Sequence, residues 1–376
     1  MRHCDVLVIG GGMAGASAAY ELAARRRVVV LEREERPGYH ATGRSAALFR
    51  ESYPQPATRA LSQASRAFLE RPPAGFGDHP LLARRGVLFV GREEQRPAVD
   101  AMAAELAPRL PDLRRLDGSE ARRLVPAMRP DHVAAALYEP GAADVDVHAL
   151  HEGYLRGLRA RGGRLLTRAA PDHIERRGGR WEVAVRGEVF TAPVLLDAAG
   201  AWADEVAAQA GVAPLGLTPL RRTAVTFDPP PGLDVAAWPM VLDIAGEFYF
   251  KPESGRLLAS AADEIPSPPT DAQPDEYDVA LAVHRVQTAT GLTVARLVSR
   301  WAGLRTFAAD RAPVVGFDPA IDGFFWLAGQ GGTGIVTAPA LARLAAATID
   351  GAAAAMLDEL GLPAHVLSPA RLRHGI

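Results

Sequence analysis

The sequence predicts an α/β protein: a parallel-sheet domain built from discontinuous stretches of chain, with an inserted antiparallel sheet as an α+β second layer. Two observations predict it. An apolar strand running into a glycine turn and then a helix occurs three times, near the start, middle and end of the 376 residues. Between these units lie short strands separated by proline-rich links, the texture of an antiparallel sheet. The expected division puts residues 1–85, 145–214 and 305–376 in the first domain, and 86–144 and 215–304 in the second.

The first unit, residues 5–32, carries the strongest signal. Val6–Ile9 is a short apolar run bounded at once by glycine, as in a buried parallel strand. Gly10, Gly12 and Gly15 then give the G-x-G-x-x-G spacing. Gly10 allows the tight turn, Gly12 lets backbone approach a pyrophosphate, and Gly15 lets helix and strand pack closely. Ala14 and Ala18 keep one side of the helix small enough to lie on a sheet. Val28–Leu31 is a second strand, closed by Glu32, whose carboxylate suits ribose hydroxyls. Strand, glycines, helix, strand and acid fall in order. This is a Rossmann-like dinucleotide site.

Residues 37–50, rich in small and hydroxyl side chains, follow where the ligand would lie. Thr42, Ser45 and the local amides either line it or belong to an ordinary loop. An amphipathic helix is expected over 58–70, a strand over 86–91, charged helices over 92–130, and a strand over 134–138. A helix over 147–161 stops at Gly162-Gly163. Asp144, Asp146, His148 and His151 lie at its start, where polar residues are expected as caps, so no metal site is assigned. A small β-meander covers 173–185. The second glycine unit is 194–211, turning at Ala199-Gly200; the third is 324–349, turning over 329–334. Three such units must converge on one nucleotide.

Composition excludes other classes. A formal charge of −2 gives no field to gather nucleic acid. The single cysteine, Cys4, rules out a disulfide or a thiolate metal cage. No apolar run is long enough to span a bilayer, and the fingerprint starts at residue 5, so a cytoplasmic location is expected.

The stretches YH-x-TGRSAA, PLGL-x-P-x-RR, FY-x-K, WAGLR-x-F and QGG-x-GI occur in order over essentially the whole chain. On them the chain resembles the D-amino-acid oxidase family of flavoproteins, above all its bacterial FAD-dependent D-arginine dehydrogenase branch; glycine oxidase and monomeric sarcosine oxidase are relatives. The resemblance implies FAD, a 2-amino acid as the small-molecule substrate, and an electron acceptor that is a quinone, a carrier or oxygen; with no cysteine placed beside the ring, the FAD is expected to be non-covalent. It places Glu32 and Arg33 at the adenosine ribose, and Ala14 under the pyrophosphate. Ala41, Thr42, Gly43, Arg44, Ser45, Ala46, Ala47 and Leu48 run beside the isoalloxazine. Pro171 lies near the adenine, and Ala199 and Gly200 near the phosphates. Gly303 is also assigned to the cofactor. Gly331, Gly332, Thr333, Gly334 and Ile335 open the last helix, whose N-terminal amides would favour the anionic reduced flavin.

The resemblance also assigns a carboxylate clamp to Tyr53, Arg222, Tyr249 and Arg305, where guanidinium forks suit a carboxylate. Alternation allows only one of Arg221 and Arg222 to face inward, and the resemblance selects Arg222. The chain departs from the D-arginine pattern at the far end. Leu48, Val87 and Val336 stand where that branch has a histidine, a glutamate and a glutamine, and Arg50 replaces a threonine. An apolar D-amino acid is therefore expected, with Arg50 turned outward; were it inward, an acidic side chain would be selected. Good oxidases of the family place a lysine at the flavin. The only lysine here is Lys251, so dehydrogenase chemistry is expected. His40 is the one candidate for a covalent link. The competing readings are a glycine or sarcosine oxidase and a non-catalytic flavin-binding module.

Overall fold

The computed structural model describes residues 2–77 and 79–373. A six-stranded sheet runs in the order Arg164–Leu166, Val28–Leu31, Val6–Ile9, Val194–Asp197, Phe324–Ala328, Val314–Phe317. The first five strands are parallel and the last pairs antiparallel. Val6–Ile9 and Val194–Asp197 are buried throughout, as continuous apolar runs in a doubly covered sheet should be.

Each face of this sheet has its own core. On one lie the helices Met13–Leu22 and Ala338–Ile349, packed through Ala18, Ala19, Ala340 and Leu344 against Val6, Val8 and Phe325. On the other, the meander His173–Arg177, Arg180–Val185, Glu188–Ala192 sets Trp181, Val183 and Phe190 against Leu7, Leu195 and Phe324. The meander gains a short fourth strand, Arg2–His3.

The second large sheet follows the order Gln330–Gly331, Leu297–Phe307, Thr218–Phe227, Arg256–Ser260, Tyr249–Glu253, Met240–Asp243, Val87–Gly91, Ala135–Glu139, Arg114–Asp117. It is antiparallel with one exception: Met240–Asp243 pairs parallel to Val87–Gly91. The inserted sheet is thus antiparallel as expected but for this pair, whose two segments come from separate stretches of chain and meet side by side rather than through a hairpin. The strand Leu297–Phe307 runs across the boundary expected at 304/305. Residues 92–130 are not all helical, since Arg114–Asp117 adds an edge strand. A capped helix, Glu276–Ala289, covers this sheet through Val279, Ala282 and Val286.

Candidate active site

The first glycine turn follows the expected division of labour. Gly10 has φ +102°, and a Cβ there would stand 2.4 Å from the Ala198 carbonyl oxygen. A Cβ on Gly15 would stand 1.9 Å from the Gly10 oxygen, so helix and turn touch backbone to backbone. Gly12 is open by comparison, with Thr42 Oγ1 at 3.4 Å as its one neighbour within 4 Å. Thr42 Oγ1 accepts from the Met13 amide at 3.0 Å. Glu32 is 7 % exposed, and its two carboxylate oxygens accept from the Gly11 amide at 2.7 Å and the Glu34 amide at 2.8 Å. Each oxygen keeps a lone pair for a diol. His151, considered above as a metal ligand, is buried behind the turn with Nε2 2.9 Å from the Gly11 carbonyl oxygen. Burial holds its pKa below the ordinary value, so it is a neutral donor.

The three glycine turns open on one long cavity. Glu32, Arg33, Ala170, Pro171 and Gln209 line one end; Arg222, Tyr249, Gly303, Arg305 and Gly332 line the other. Between them the wall includes Gly10, Gly12, Ala14, Ala41, Thr42, Arg44, Ser45, Ala46, Ala199, Gly200, Gly331, Gly334 and Ile335. Five residues expected at the cofactor are not in the wall. Gly15 lies under the turn, a Cβ on Gly43 would meet the Gly38 oxygen at 2.8 Å, Ala47 and Leu48 pack into apolar clusters, and Thr333 Oγ1 bonds back to the Gln330 oxygen at 2.9 Å.

Two details depart from expectation. The last helix begins at Ala338, beyond the glycine turn, and the Ala340 amide in its first turn donates to Ser65 Oγ at 3.1 Å. Gly331, Gly332, Gly334 and Ile335 of the turn, rather than that helix end, line the cavity. Arg44 is a wall residue but is committed elsewhere: it pairs with Asp271 and donates to the Ala272 and Ala302 oxygens at 2.9 and 3.0 Å. It thereby ties residues 270–272 over the cavity. Trp202 was missed. Arg33 lies over its ring at 4.7 Å and His40 packs at 4.6 Å, both in the wall. The aromatic directly after Ala-Ala-Gly-Ala was the available signal.

At the far end the sheet brings Arg222, Tyr249 and Arg305 together. Arg221 turns away to pair with Asp278 at 2.8 Å. Burial, reinforced by Arg305, lowers the pKa of Arg222, though a guanidinium stays charged at neutral pH. Burial pushes the Tyr249 phenol up, but Arg305 and Arg222 outweigh it and hold the pKa below the ordinary tyrosine value. Arg305 has no ion pair with a carboxylate among the described residues. Two guanidiniums and a phenol are brought together there, a set whose chemistry suits an anion.

The remaining predicted pocket residues are not in the wall. Tyr53 is buried, its hydroxyl donating to the Leu48 oxygen at 3.1 Å, and burial raises its pKa. Val336 sits in the same cluster as Tyr53, while Leu48 and Val87 share another with Tyr249 and Ala46. Arg50 does not reach the wall either: its guanidinium lies over Tyr53 at 4.5 Å and Phe89 at 5.2 Å. Lys251 is buried in pairs with Asp144 at 2.8 Å and Glu253 at 2.7 Å. His40 Nε2 lies 2.9 Å from Glu34 Oε1. Cys4 is buried at the sheet edge, which pushes its thiol up to about 11.

The family model "DAO: FAD dependent oxidoreductase" matches residues 5–348. The chain belongs to this family. Glycine oxidase of Pseudomonas aeruginosa is 28% identical over 364 residues, covering 92% of this chain and 94% of that protein. Sarcosine oxidase subunit beta of Rhizobium meliloti is 26% identical over 353 residues, covering 90% and 82%. The crystal structure of glycine oxidase from Geobacillus kaustophilus superposes with a TM-score of 0.83 at 23% identity, covering 97% of this chain and all of that one. The protein is an FAD-dependent oxidoreductase.

The wall fits FAD. Gly12 and Gly200, the latter at φ +61° with nothing within 4 Å of a Cβ, present bare backbone to the cavity's middle. Glu32 and Arg33 stand at one end, and Arg222, Tyr249 and Arg305 at the other. No helix among the described residues is long and apolar enough to cross a membrane.

Proposed function

We propose that the chain oxidises the amine of an amino acid whose carboxylate is clamped by Arg222, Arg305 and Tyr249. The observation that carries this reading is Arg305: a cavity-facing guanidinium beside Arg222 and without a carboxylate of its own. Bound FAD would supply the hydride acceptor. The clamp orients Cα–H toward it, and the amine reacts as its neutral form, its proton passing to solvent. The described wall needs no further base; catalysis is mainly positioning. Water then hydrolyses the imino acid to a 2-oxo acid and ammonia, or methylamine where the amine carries an N-methyl group.

For the side chain, the geometry favours a small substrate such as glycine or N-methylglycine. Tyr53, Leu48, Val87 and Val336 are packed into the core instead of opening a side-chain pocket. The second reading is an apolar D-amino acid, favoured because Leu48 and Val87 touch the cluster of Tyr249 and Ala46, both wall residues. Both readings make a basic side chain unfavourable, since the wall at that end carries Arg222 and Arg305 and, among the described residues, no carboxylate. Anaerobic mixing with glycine, sarcosine, D-alanine, D-leucine and D-arginine tests this through flavin bleaching. Glycine, sarcosine or D-alanine should bleach fastest. D-leucine as the fastest supports the second reading, D-arginine as the fastest overturns both, and no bleaching at all leaves a non-catalytic module.

A further inference from the structure

Arg222 is gripped from outside the cavity. Its Nε donates to the Asp263 carbonyl oxygen at 2.5 Å, and Nη2 donates to Glu264 Oε1 at 3.3 Å. Glu264 is shared: Arg311 Nη2 donates to Oε1 at 2.8 Å and to Oε2 at 3.0 Å. Arg311 is seated on Phe307, 3.9 Å from the ring centroid. Asp263 is fixed in turn, since its two carboxylate oxygens accept the Thr223 amide at 3.0 and 2.9 Å. Glu264 lies outside the cavity wall, its side chain 34% exposed.

The charges here nearly cancel. Three guanidiniums (Arg222, Arg305, Arg311) face two carboxylates (Asp263, Glu264), while the neighbouring Arg221 is turned away to Asp278 at 2.8 Å and Asp275 at 4.0 Å. One positive charge is left, the complement of one carboxylate. We propose that Glu264 is a positioning residue that sets this balance, drawing on Arg222 from behind so that the clamp matches a monocarboxylate. The inference rests on the amino-acid reading above. Its logic is that substrate and 2-oxo acid product carry the same carboxylate. A clamp with two uncompensated guanidiniums would hold both too well, and uniform tightening does not speed turnover. Arg311 makes the draw partial by taking the shorter contacts to Glu264 for itself.

The test is calorimetric titration of the FAD-loaded protein with acetate, at low salt. Glu264→Gln keeps an oxygen acceptor of the same shape and removes the charge. Acetate should then bind about three- to fivefold more tightly, as for a half-exposed ion pair. Malonate should gain more than acetate. Arg311→Leu leaves Glu264 to Arg222 alone, so acetate should weaken by a similar factor. Both shifts should shrink in high salt, where exposed charges are screened. A merely structural bracket would leave the Gln variant unmoved or weaker, and either result overturns the inference. Arg311→Leu, a change at an exposed side chain, keeps the question decidable if the Gln variant folds poorly; unchanged or tighter acetate binding there also overturns it. Wild-type protein that binds acetate while both variants match it sinks this inference alone. Wild-type protein that binds no acetate sinks the carboxylate clamp as well.

Discussion

Arg305 reaches the cavity from the strand Leu297–Phe307, where its neighbours Leu304 and Thr306 are buried and hold the backbone. Its guanidinium lies against Gly332, with Nη1 3.0 Å from where a Cβ would stand. Replacing Arg305 by Met should lower kcat/KM by about 2–5 kcal/mol, the loss of a charge-assisted partner in a desolvated site. FAD content should stay normal, and unchanged kcat/KM would remove Arg305 from the clamp. Alternation made the inward choice between Arg221 and Arg222 a binary one, which the resemblance resolved. The posture of Arg50 was not legible, because Phe89, one of the two rings that hold it, lies far along the chain. Sequence pattern reports which face a residue belongs to, not which distant ring it will find.

Among the elements, the glycine turns were the most legible, since backbone contact leaves a residue-type signature. Gly12 and Gly15 should separate cleanly on substitution. Gly15→Ala forces a Cβ into the Gly10 carbonyl and should destabilise the fold by several kcal/mol, roughly the scale of an overpacked core site. Gly12→Ala meets only a hydroxyl at 3.4 Å, so the apoprotein should melt near the wild-type temperature while FAD binds more weakly. Equal melting losses in the two variants, read by thermal denaturation of apoprotein, would contradict this assignment. The start of the last helix was misplaced because glycine-rich sequence signals a turn without saying how long it runs. Glu276–Ala289 was hidden by its valines and scattered polar residues, although Asp275 caps it through the Tyr277 amide. Arg114–Asp117 was hidden by its charges, which suit an edge strand but not a periodicity search.

For the molecule as a whole, the parallel sheet was readable from its apolar runs, whereas the parallel meeting of Met240–Asp243 with Val87–Gly91 was not, being fixed only when two insertions fold together. The same assembly decides the fate of Lys251, which is enclosed by Asp144 and Glu253 and kept from the cavity wall. Reaction with oxygen should therefore be slow. Hydrogen peroxide formed as fast as an artificial dye is reduced would refute that. One consequence concerns biogenesis. The cofactor's walls come from residues near 10, near 200 and near 331, so a chain emerging from the ribosome has no complete binding site until its last turn is made. Capture of the yellow pigment should thus follow the folding of all three segments, and colour reports that they have come together.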